Sequence, residues 1–213
     1  FRLIKIFYLL SWKKEFFLIN KQYRTVDSEF IIKSKASETV FIFGSGTSFN
    51  KMLKADFNLI SKHDVITFNH GHFQNKLKPL IHLSRRVGDW NTIEYDNYFF
   101  NKIWKKGIYE YFELLENNKL YEETILALQW EPTSRGGRLA IRENLIKSER
   151  FIYPYRSFHS LNFKDSKDDQ LFHKASTLTS AIHLAINSGW KKIVLCCIDL
   201  DQGYFWLPEG QSS

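Results

Sequence analysis

The chain has 213 residues, enough for one substantial hydrophobic core, and its 44% hydrophobic and 25% charged residues are typical of a globular protein. The formal net charge of +7 favours an anionic partner such as a nucleotide, a nucleic acid or a membrane surface. No RNP-like or helix-turn-helix pattern supports recognition of nucleic acid, so we expect no nucleic-acid partner. Two adjacent cysteines, Cys196 and Cys197, lie in an apolar run, which predicts reduced thiols, a reducing compartment and no metal site there.

The first 36 residues predict a basic amphipathic segment that precedes the main domain of residues 37–213. Its apolar runs are far shorter than the roughly 20 residues that span a bilayer. Lys13 and Lys14 interrupt them, which a signal peptide does not show. Two interpretations stay open: a helix on an anionic membrane surface, or a helix packed on the core with its lysines in solvent. Residues 30–36 predict a short strand or loop.

A buried strand followed by a glycine turn is predicted at residues 40–48. Residues 40–43 are β-branched or aromatic, and they lead without a polar linker into the turn. Glycines give the backbone freedom and leave room for a ligand, while Ser and Thr can cap a following helix whose N–H groups attract anions. The third glycine of the dinucleotide fingerprint is missing, so both a plain strand-turn-helix and a phosphate cradle fit this pattern.

The next elements complete a βαβ unit, which predicts a parallel sheet. Residues 49–60 have helical spacing, and residues 65–68 form a strand that ends at Asn69. Further along, residues 80–83 and 124–130 predict strands and residues 103–120 predict a helix. Pro and Gly predict a loop at residues 130–138, where two arginines fit either an anion site or an exposed basic turn. These arginines are Arg135 and Arg138.

The last predicted elements bring a carboxylate to the same edge of the sheet. A helix is expected with Thr179 or Ser180 as its N-cap and with its end at residues 187–189, and a strand at residues 192–198 leads to Asp199. Open parallel sheets bind ligands at the carboxyl ends of their strands. We therefore predict an α/β fold with a Rossmann-like, mostly parallel sheet flanked by helices, a small helical or lid insertion, and one crevice at that edge.

Four segments in this order resemble the bacterial sialyltransferases that decorate lipooligosaccharide, and the wider group of CMP-ulosonate transferases with the same nucleotide-binding core. Residues 41–50 resemble the family's first strand with its Gly-Asn-Gly-Pro-Ser turn, and residues 64–69 resemble its second strand, which ends in Asn. Residues 178–180 resemble its Ile-Thr-Ser-Gly helix start. Residues 190–200 resemble its last strand, Gly-Tyr-Lys-Glu-Ile-Tyr-Leu-Ser-Gly-Ile-Asp-Phe.

The resemblance implies a site for a CMP-activated sugar donor. The backbone of residues 44–48 would meet its phosphate, and Asn69 matches the family's second nucleotide-binding Asn. Asp199 matches the acidic residue that can accept hydrogen bonds from cytosine, ribose or a nearby backbone. Ser45 replaces a nucleotide-contacting Asn of the family. The donor-binding residues implied in this way are Gly44, Ser45, Gly46, Thr47, Ser48, Asn69, Thr179, Ser180 and Asp199.

The catalytic candidates are Tyr204 and His70. The family uses tyrosines beyond the last strand to stabilise the leaving phosphate; Tyr204 is a candidate for one, and Asp201 stands where the other would be. The family's general-base His lies further on, so we expect the chain to be truncated at its C-terminus. His70 and His72 are the histidines nearest the predicted crevice, and either an acid-base role or a solvent-facing position fits them. His82 is a further candidate on the acceptor side.

We therefore expect an inverting glycosyltransferase that moves sialic acid or a related ulosonic acid from a CMP-activated donor to a bacterial surface glycan as acceptor. No Asp-x-Asp or clustered His/Asp pattern predicts a metal site, so a metal-independent enzyme without cofactor is expected. The expected location is cytoplasmic or peripheral on the inner face of the cytoplasmic membrane, and a homo-oligomer stays open. Two alternatives remain. One is a pterin pyrophosphokinase-like or motility-associated Rossmann protein, and the other is a non-catalytic, membrane-peripheral nucleotide-binding module.

Overall fold

The computed structural model describes residues 17, 19–85, 98–130, 135–158, 170–173, 176–199, 204 and 205. It confirms the α/β class and the Rossmann-like, mostly parallel sheet. The strands are β1 (Arg24–Thr25), β2 (Thr39–Phe43), β3 (Asp64–Phe68), β4 (Ile81–Ser84), β5 (Ile125–Gln129), β6 (Phe151–Phe158), β7 (Gln170–Phe172) and β8 (Lys192–Cys196). The helices are α1 (Ser28–Ser34), α2 (Lys54–Ile60), α3 (Tyr98–Asn117), α4 (Arg135–Arg142) and α5 (Thr177–Asn187).

The sheet has the strand order β1-β6-β5-β4-β3-β2-β8, and β7 pairs with β6 outside this path. Every described strand pairing is parallel. The register places Val40 of β2 opposite Asp64 of β3 on one side and Ile193 of β8 on the other. The chain moves in one direction from β2 to β6 and later returns to place β8 on the free side of β2. The order therefore reverses at β2, and ligands of open α/β sheets bind at such a switch point.

Hydrophobic clusters cover both faces of the sheet. One cluster joins β5 and β6 to α3 and α4, and a second joins β2 to β6 with α1 and α5. In α3 the buried side chains follow the spacing of one helical face. They are Ile108, Tyr111, Phe112 and Leu115. A smaller third cluster surrounds Phe43 and Phe49 beside the glycine turn. Since the faces are filled with apolar side chains, the edge of the sheet is left for polar chemistry.

The described part of the N-terminal segment belongs to the sheet and the core. Ile19 and Tyr23 are buried in the cluster with α3 and α4, and β1 pairs with β6. The predicted strand or loop at residues 30–36 is wrong, because α1 covers most of it. The Asp27 carboxylate starts this helix by accepting the backbone N–H of Phe30 at 2.8 Å. The proposed membrane-facing part falls largely on residues 1–16, outside the described residues. None of the described helices is long and apolar enough to cross a membrane.

Other predicted boundaries also change. The single helix expected at residues 49–60 is divided into a 3-10 helix, Thr47–Lys51, and α2. The second helix starts afresh because Asp56 accepts the backbone N–H of Leu53 at 2.7 Å. The loop expected at residues 130–138 is wrong in its second half, where α4 begins. The side chains of its two arginines lie outside the described residues.

Candidate functional site at the switch point

The glycine turn between β2 and the 3-10 helix contains a carboxylate supplied by the chain itself. Oδ2 of Asp199 accepts the backbone N–H of Ser48 at 2.7 Å, and Oδ1 accepts the Ser48 hydroxyl at 2.6 Å. The Thr47 hydroxyl adds a longer contact of 3.4 Å to Oδ2. Asp199 lies so close to Gly46 that a Cβ at that position would be 2.4 Å from its carboxylate. The turn thus has glycine where a carboxylate from the end of β8 packs against it.

Backbone hydrogen bonds join the same turn to the end of β8. The N–H of Gly44 donates to the carbonyl of Cys196 at 2.9 Å, and the N–H of Gly46 donates to that of Cys197 at 3.0 Å. Cys197 has a left-handed backbone with φ of 54°, which aims its carbonyl at the turn. Together with Ser48, three of the turn's backbone donors are engaged within the protein. A phosphate bound inside this turn would have to replace Asp199.

The Asp199 carboxylate is ionised and partly accessible. Burial by itself would raise the pKa of Asp199, but the hydrogen bonds from Ser48 and Thr47 outweigh that effect, and the pKa lies below its ordinary value. A carboxylate offers about four acceptor positions, and the turn uses three of them. The remaining acceptor position suits a hydroxyl or amino donor rather than another anion.

Asn69 lies at the end of β3 and contacts the start of α5. Its Nδ2 donates to the Thr177 hydroxyl at 3.2 Å, and its Oδ1 lies 3.3 Å from the same hydroxyl. The helix runs back toward the start of β8, so its N-terminus points to the carboxyl edge of the sheet. Its N-cap, Ser176, makes no side-chain capping hydrogen bond among the described residues. The first backbone N–H groups of α5 therefore lie beside Asn69.

Thr179 and Ser180 lie within α5 rather than at its start. The Thr179 hydroxyl donates to the carbonyl of Ser176 at 2.7 Å. Ser180 is fully buried, and its hydroxyl donates to the carbonyl of Phe172 at 3.0 Å. The N-cap of α5 is Ser176, three residues before Thr179, the first of the two predicted caps, and Thr177 at the start of the helix contacts Asn69. The role of Thr179 and Ser180 in a donor pocket stays a prediction.

The histidines after Asn69 have different surroundings. His70 is exposed, although partial desolvation lowers the pKa of its imidazole. His72 is buried, and its Nδ1 donates to the carbonyl of Asn69 at 3.0 Å, because that carbonyl can only accept. Burial lowers the pKa of His72 to about 4, and the backbone hydrogen bond only partly offsets this effect. His72 is therefore neutral near pH 7.

Tyr204 lies near the glycine turn because the next residue, Phe205, is hydrogen-bonded to that turn. The backbone N–H of Phe205 donates to the carbonyl of Ser45 at 3.1 Å, and the Phe205 carbonyl accepts Nδ2 of Asn50 at 2.9 Å. The rings of Phe205 and Phe49 lie 4.8 Å apart. These contacts bring the candidate tyrosine to the same side of the switch point as Asp199. Asp201 lies outside the described residues.

Within the described ranges, no group of three or more His, Cys, Asp and Glu side chains lies close enough together to hold a metal ion. Metal independence itself stays a prediction. The same edge thus offers a glycine turn, amide and hydroxyl groups, a helix N-terminus and one ionised carboxylate. Such groups can bind a polar, partly anionic ligand by hydrogen bonds.

Comparison with known proteins adds no family assignment. No protein-family model matches the chain, and no curated protein matches it. The resemblance to the sialyltransferases therefore stays a prediction that depends on four short segments of the sequence.

Sequence reasoning missed the residues behind Asn69. Tyr111 and Tyr121 lie on or near α3, and their hydroxyls reach the backbone carbonyls of Asn69 and Gly71. Tyr111 lies on the buried face of α3, and Tyr121 lies in the 3-10 helix Lys119–Tyr121 that follows it; ordinary core tyrosines show the same burial. A buried Tyr does need a partner for its hydroxyl, and this was the available signal. The sequence does not reveal which carbonyl supplies that partner.

Proposed function

We propose that this chain carries the nucleotide site of a glycosyltransferase that uses a CMP-activated ulosonic acid, such as sialic acid, as its donor. The observation that carries the proposal is the contact of Asn69 with Thr177 at the same edge of the sheet as the contact of Asp199 with Ser48, at the switch point of a parallel sheet. The order of the segments that resemble the sialyltransferases supports the same class. A bacterial surface glycan is the proposed acceptor.

The geometry favours binding of the two parts of the CMP-sugar by two different groups of residues. The phosphate is received at the N-terminus of α5, where backbone N–H groups and Asn69 are available. The ribose or cytosine is received by the accessible acceptor position of Asp199, because a second anion beside this carboxylate would be repelled. The backbone of the glycine turn shapes this pocket and leaves the phosphate to α5.

The chemical step requires a base for the acceptor hydroxyl and donors for the developing phosphate charge. His70 is the proposed base, since it follows Asn69, is exposed and has a lowered pKa that keeps it neutral near pH 7. Tyr204 is the proposed donor to the departing phosphate, supported by the attachment of Phe205 to the glycine turn. The proposed reaction uses no metal or other cofactor. Such an enzyme would act in the cytoplasm or on the inner face of the membrane, where the net charge of +7 favours anionic lipid.

Calorimetric titration of the chain with CMP, CDP, UMP and GDP, with and without EDTA, tests the proposal. We expect CMP to bind selectively, with no effect of EDTA. Asn69→Ala removes the carboxamide beside Thr177, and we expect it to weaken CMP binding by about tenfold or more. Asn58→Ala, an exposed position on α2, is the matched control and should bind as the unchanged protein does.

The outcomes separate the alternatives. Binding that requires a divalent metal and shows no preference for cytidine would favour the hypothesis of a pyrophosphokinase-like protein. Selective CMP binding without CMP release from CMP-sialic acid, in the presence of a glycan acceptor, would favour a non-catalytic nucleotide-binding module. An equal loss of CMP affinity in the Asn69 and Asn58 variants would remove Asn69 from the site.

A further inference from the structure

The backbone carbonyl of Asn69 is held by two buried side chains. It accepts Nδ1 of His72 and the hydroxyl of Tyr111, each at 3.0 Å. Asn69 itself has a left-handed backbone, with φ of 49°. Asn tolerates this region better than most residues, but the conformation still needs support from its surroundings. The two hydrogen bonds fix the peptide that follows Asn69, and with it the direction in which the Asn69 carboxamide leaves the strand.

The proton positions behind this carbonyl follow from the partners. A carbonyl only accepts, so the single proton of the Tyr111 hydroxyl points to Asn69. His82 Nε2 lies 2.7 Å from the same hydroxyl and must therefore donate to it. The other ring nitrogen, Nδ1, then accepts the hydroxyl proton of Thr67 at 2.8 Å. His82 is thus a neutral imidazole with its proton on Nε2, and its complete burial keeps its pKa well below the ordinary value.

A second tyrosine provides a natural comparison. The Tyr121 hydroxyl is also buried, and it donates to the carbonyl of Gly71 at 2.8 Å while accepting Nε2 of Gln74 at 3.1 Å. It lies 3.2 Å from the Thr67 hydroxyl, so it belongs to the same network. The two tyrosines therefore have similar burial and similar hydrogen bonds, but only Tyr111 touches Asn69.

We propose that Tyr111, oriented by His82, is a positioning residue that holds Asn69 in the conformation required to bind the nucleotide. This inference rests on the function proposed above. Tyr111 and His82 are too deeply buried to touch the ligand, with side chains that are 4% and 0% exposed. Their effect is transmitted through the Asn69 carbonyl, the left-handed backbone and the contact of the carboxamide with Thr177.

The decisive comparison is between Tyr111→Phe and Tyr121→Phe. Each substitution removes one buried hydroxyl and keeps the ring, so both should reduce the free energy of unfolding to a similar extent. We expect Tyr111→Phe to weaken CMP binding by about five- to tenfold, and Tyr121→Phe to change it by less than about twofold. Affinities are measured by calorimetry well below the melting temperature of either variant, so that stability does not enter the comparison. An equal loss of affinity in both variants would overturn the inference.

Thr67→Val supplies a second variant that keeps the shape of a β-branched residue in β3. Without the Thr67 hydroxyl, His82 Nδ1 loses the donor that it accepts, but the Nε2 proton keeps its place, because the Tyr111 hydroxyl still accepts it and a valine offers Nδ1–H no acceptor. The Tyr111 proton therefore stays on the Asn69 carbonyl, so we expect a loss of stability with CMP affinity changed by less than about twofold. The ¹⁵N shifts of His82 should show the proton on Nε2 in both proteins. A retained tautomer together with an affinity as low as that of Tyr111→Phe would contradict the inference.

A measurement without nucleotide separates this inference from the proposed function. The side-chain amide resonances of Asn69 should move in Tyr111→Phe and stay in place in Tyr121→Phe, as seen by ¹H–¹⁵N NMR of the ligand-free protein. If the unchanged chain binds no CMP, the proposed function fails, while these resonances still decide whether Tyr111 positions Asn69. Resonances that respond alike in both variants would overturn the positioning role even if CMP binds.

Discussion

The Asp199 carboxylate accepts hydrogen bonds from Ser48 with both oxygens, one from the backbone N–H at 2.7 Å and the other from the hydroxyl at 2.6 Å. This contact joins the end of β8 to the turn after β2, although the two residues are far apart in sequence. It also explains the glycine at position 46, which the carboxylate covers. The turn is therefore closed by an internal anion.

Gly46→Ala should destabilise the protein by about 1–3 kcal/mol, because a Cβ would lie 2.4 Å from the Asp199 carboxylate. Urea denaturation measures this loss. The Cβ of Asp199 would also lie 2.7 Å from the added atom, so the matching background is Asp199→Gly, which removes the carboxylate and this Cβ together. There the same substitution should cost clearly less, which a double-mutant cycle reveals. Gly107→Ala in α3 is the control: apart from its chain neighbours and the backbone of its own helix, no atom of the described residues lies within 4 Å of the added Cβ, and helix propensity predicts a gain of about 0.5–1 kcal/mol. An equal cost of Gly46→Ala in both backgrounds would show that Asp199 does not determine this glycine.

The buried histidines predict a loss of stability in mild acid. Burial lowers the pKa of His72 to about 4, whereas an unfolded histidine has a pKa of about 6.5. Below about pH 6.5 this histidine is protonated in the unfolded chain, whereas it stays neutral in the folded protein. The free energy of unfolding therefore falls as the pH drops from about 6.5 toward 4. His82 adds to this trend, because burial also places its pKa well below the ordinary value.

His72→Asn should reduce that dependence on pH. The substitution removes one titrating group and keeps an N–H donor for the Asn69 carbonyl. Between pH 6 and pH 4.5 we expect the slope of unfolding free energy against pH to decrease by up to about 1.4 kcal/mol per pH unit. Denaturation curves at four pH values across this window give the slope. A slope identical to that of the unchanged protein would mean that His72 is protonated in the fold.

A buried ion pair between α3 and the start of β6 predicts a large coupling. Arg150 Nε and Nη2 donate to the two oxygens of Glu116 at 2.6 and 3.0 Å, and the side chains are 3% and 8% exposed. Arg150→Met leaves the Glu116 carboxylate buried without its partner, which should cost about 3–5 kcal/mol by chemical denaturation. The double variant Arg150→Met/Glu116→Leu should recover much of this loss. If the double variant were as unstable as the sum of the single changes, the pair would not act as a unit.

The first βαβ unit could be predicted because its signals are local. An apolar, β-branched run followed directly by a glycine turn indicates β2, and the spacing to Asn69 indicates β3 and a parallel pairing. The convergence of Asp199 with Ser48 also follows from topology, since both lie at carboxyl ends of neighbouring strands. That Asp199 would enter the turn, instead of facing a ligand, depends on the left-handed backbone of Cys197, for which the sequence carries no clear signal.

Other features depend on contacts between distant residues. The N-cap of α5 was expected at Thr179 or Ser180, but it is Ser176, and this difference decides which hydroxyl contacts Asn69. Strand β6 contains Pro154, which lacks a backbone N–H and argues against a strand inside a sheet. The network of Tyr111 and His82 joins residues 29 positions apart, and neither position alone differs from an ordinary core residue.

The amino edge of the sheet provides the last prediction, because it carries a carboxylate that has no place in the proposed site. Asp64 begins β3 and is 4% exposed. It accepts the backbone N–H groups of Ala36 and Ser37 at 3.1 Å each, and Nε1 of Trp190 at 2.8 Å.

Asp64→Ala leaves these three donors without their acceptor and should reduce the free energy of unfolding by about 3 kcal/mol, while Asp64→Asn keeps one acceptor oxygen and should reduce it by less. The indole N–H resonance of Trp190 should move in both variants. Since Asp64 and Asn69 lie at opposite ends of β3, CMP affinity measured on the folded protein should stay within about twofold. A fall in affinity without a fall in stability would show that the two edges are coupled through the strand.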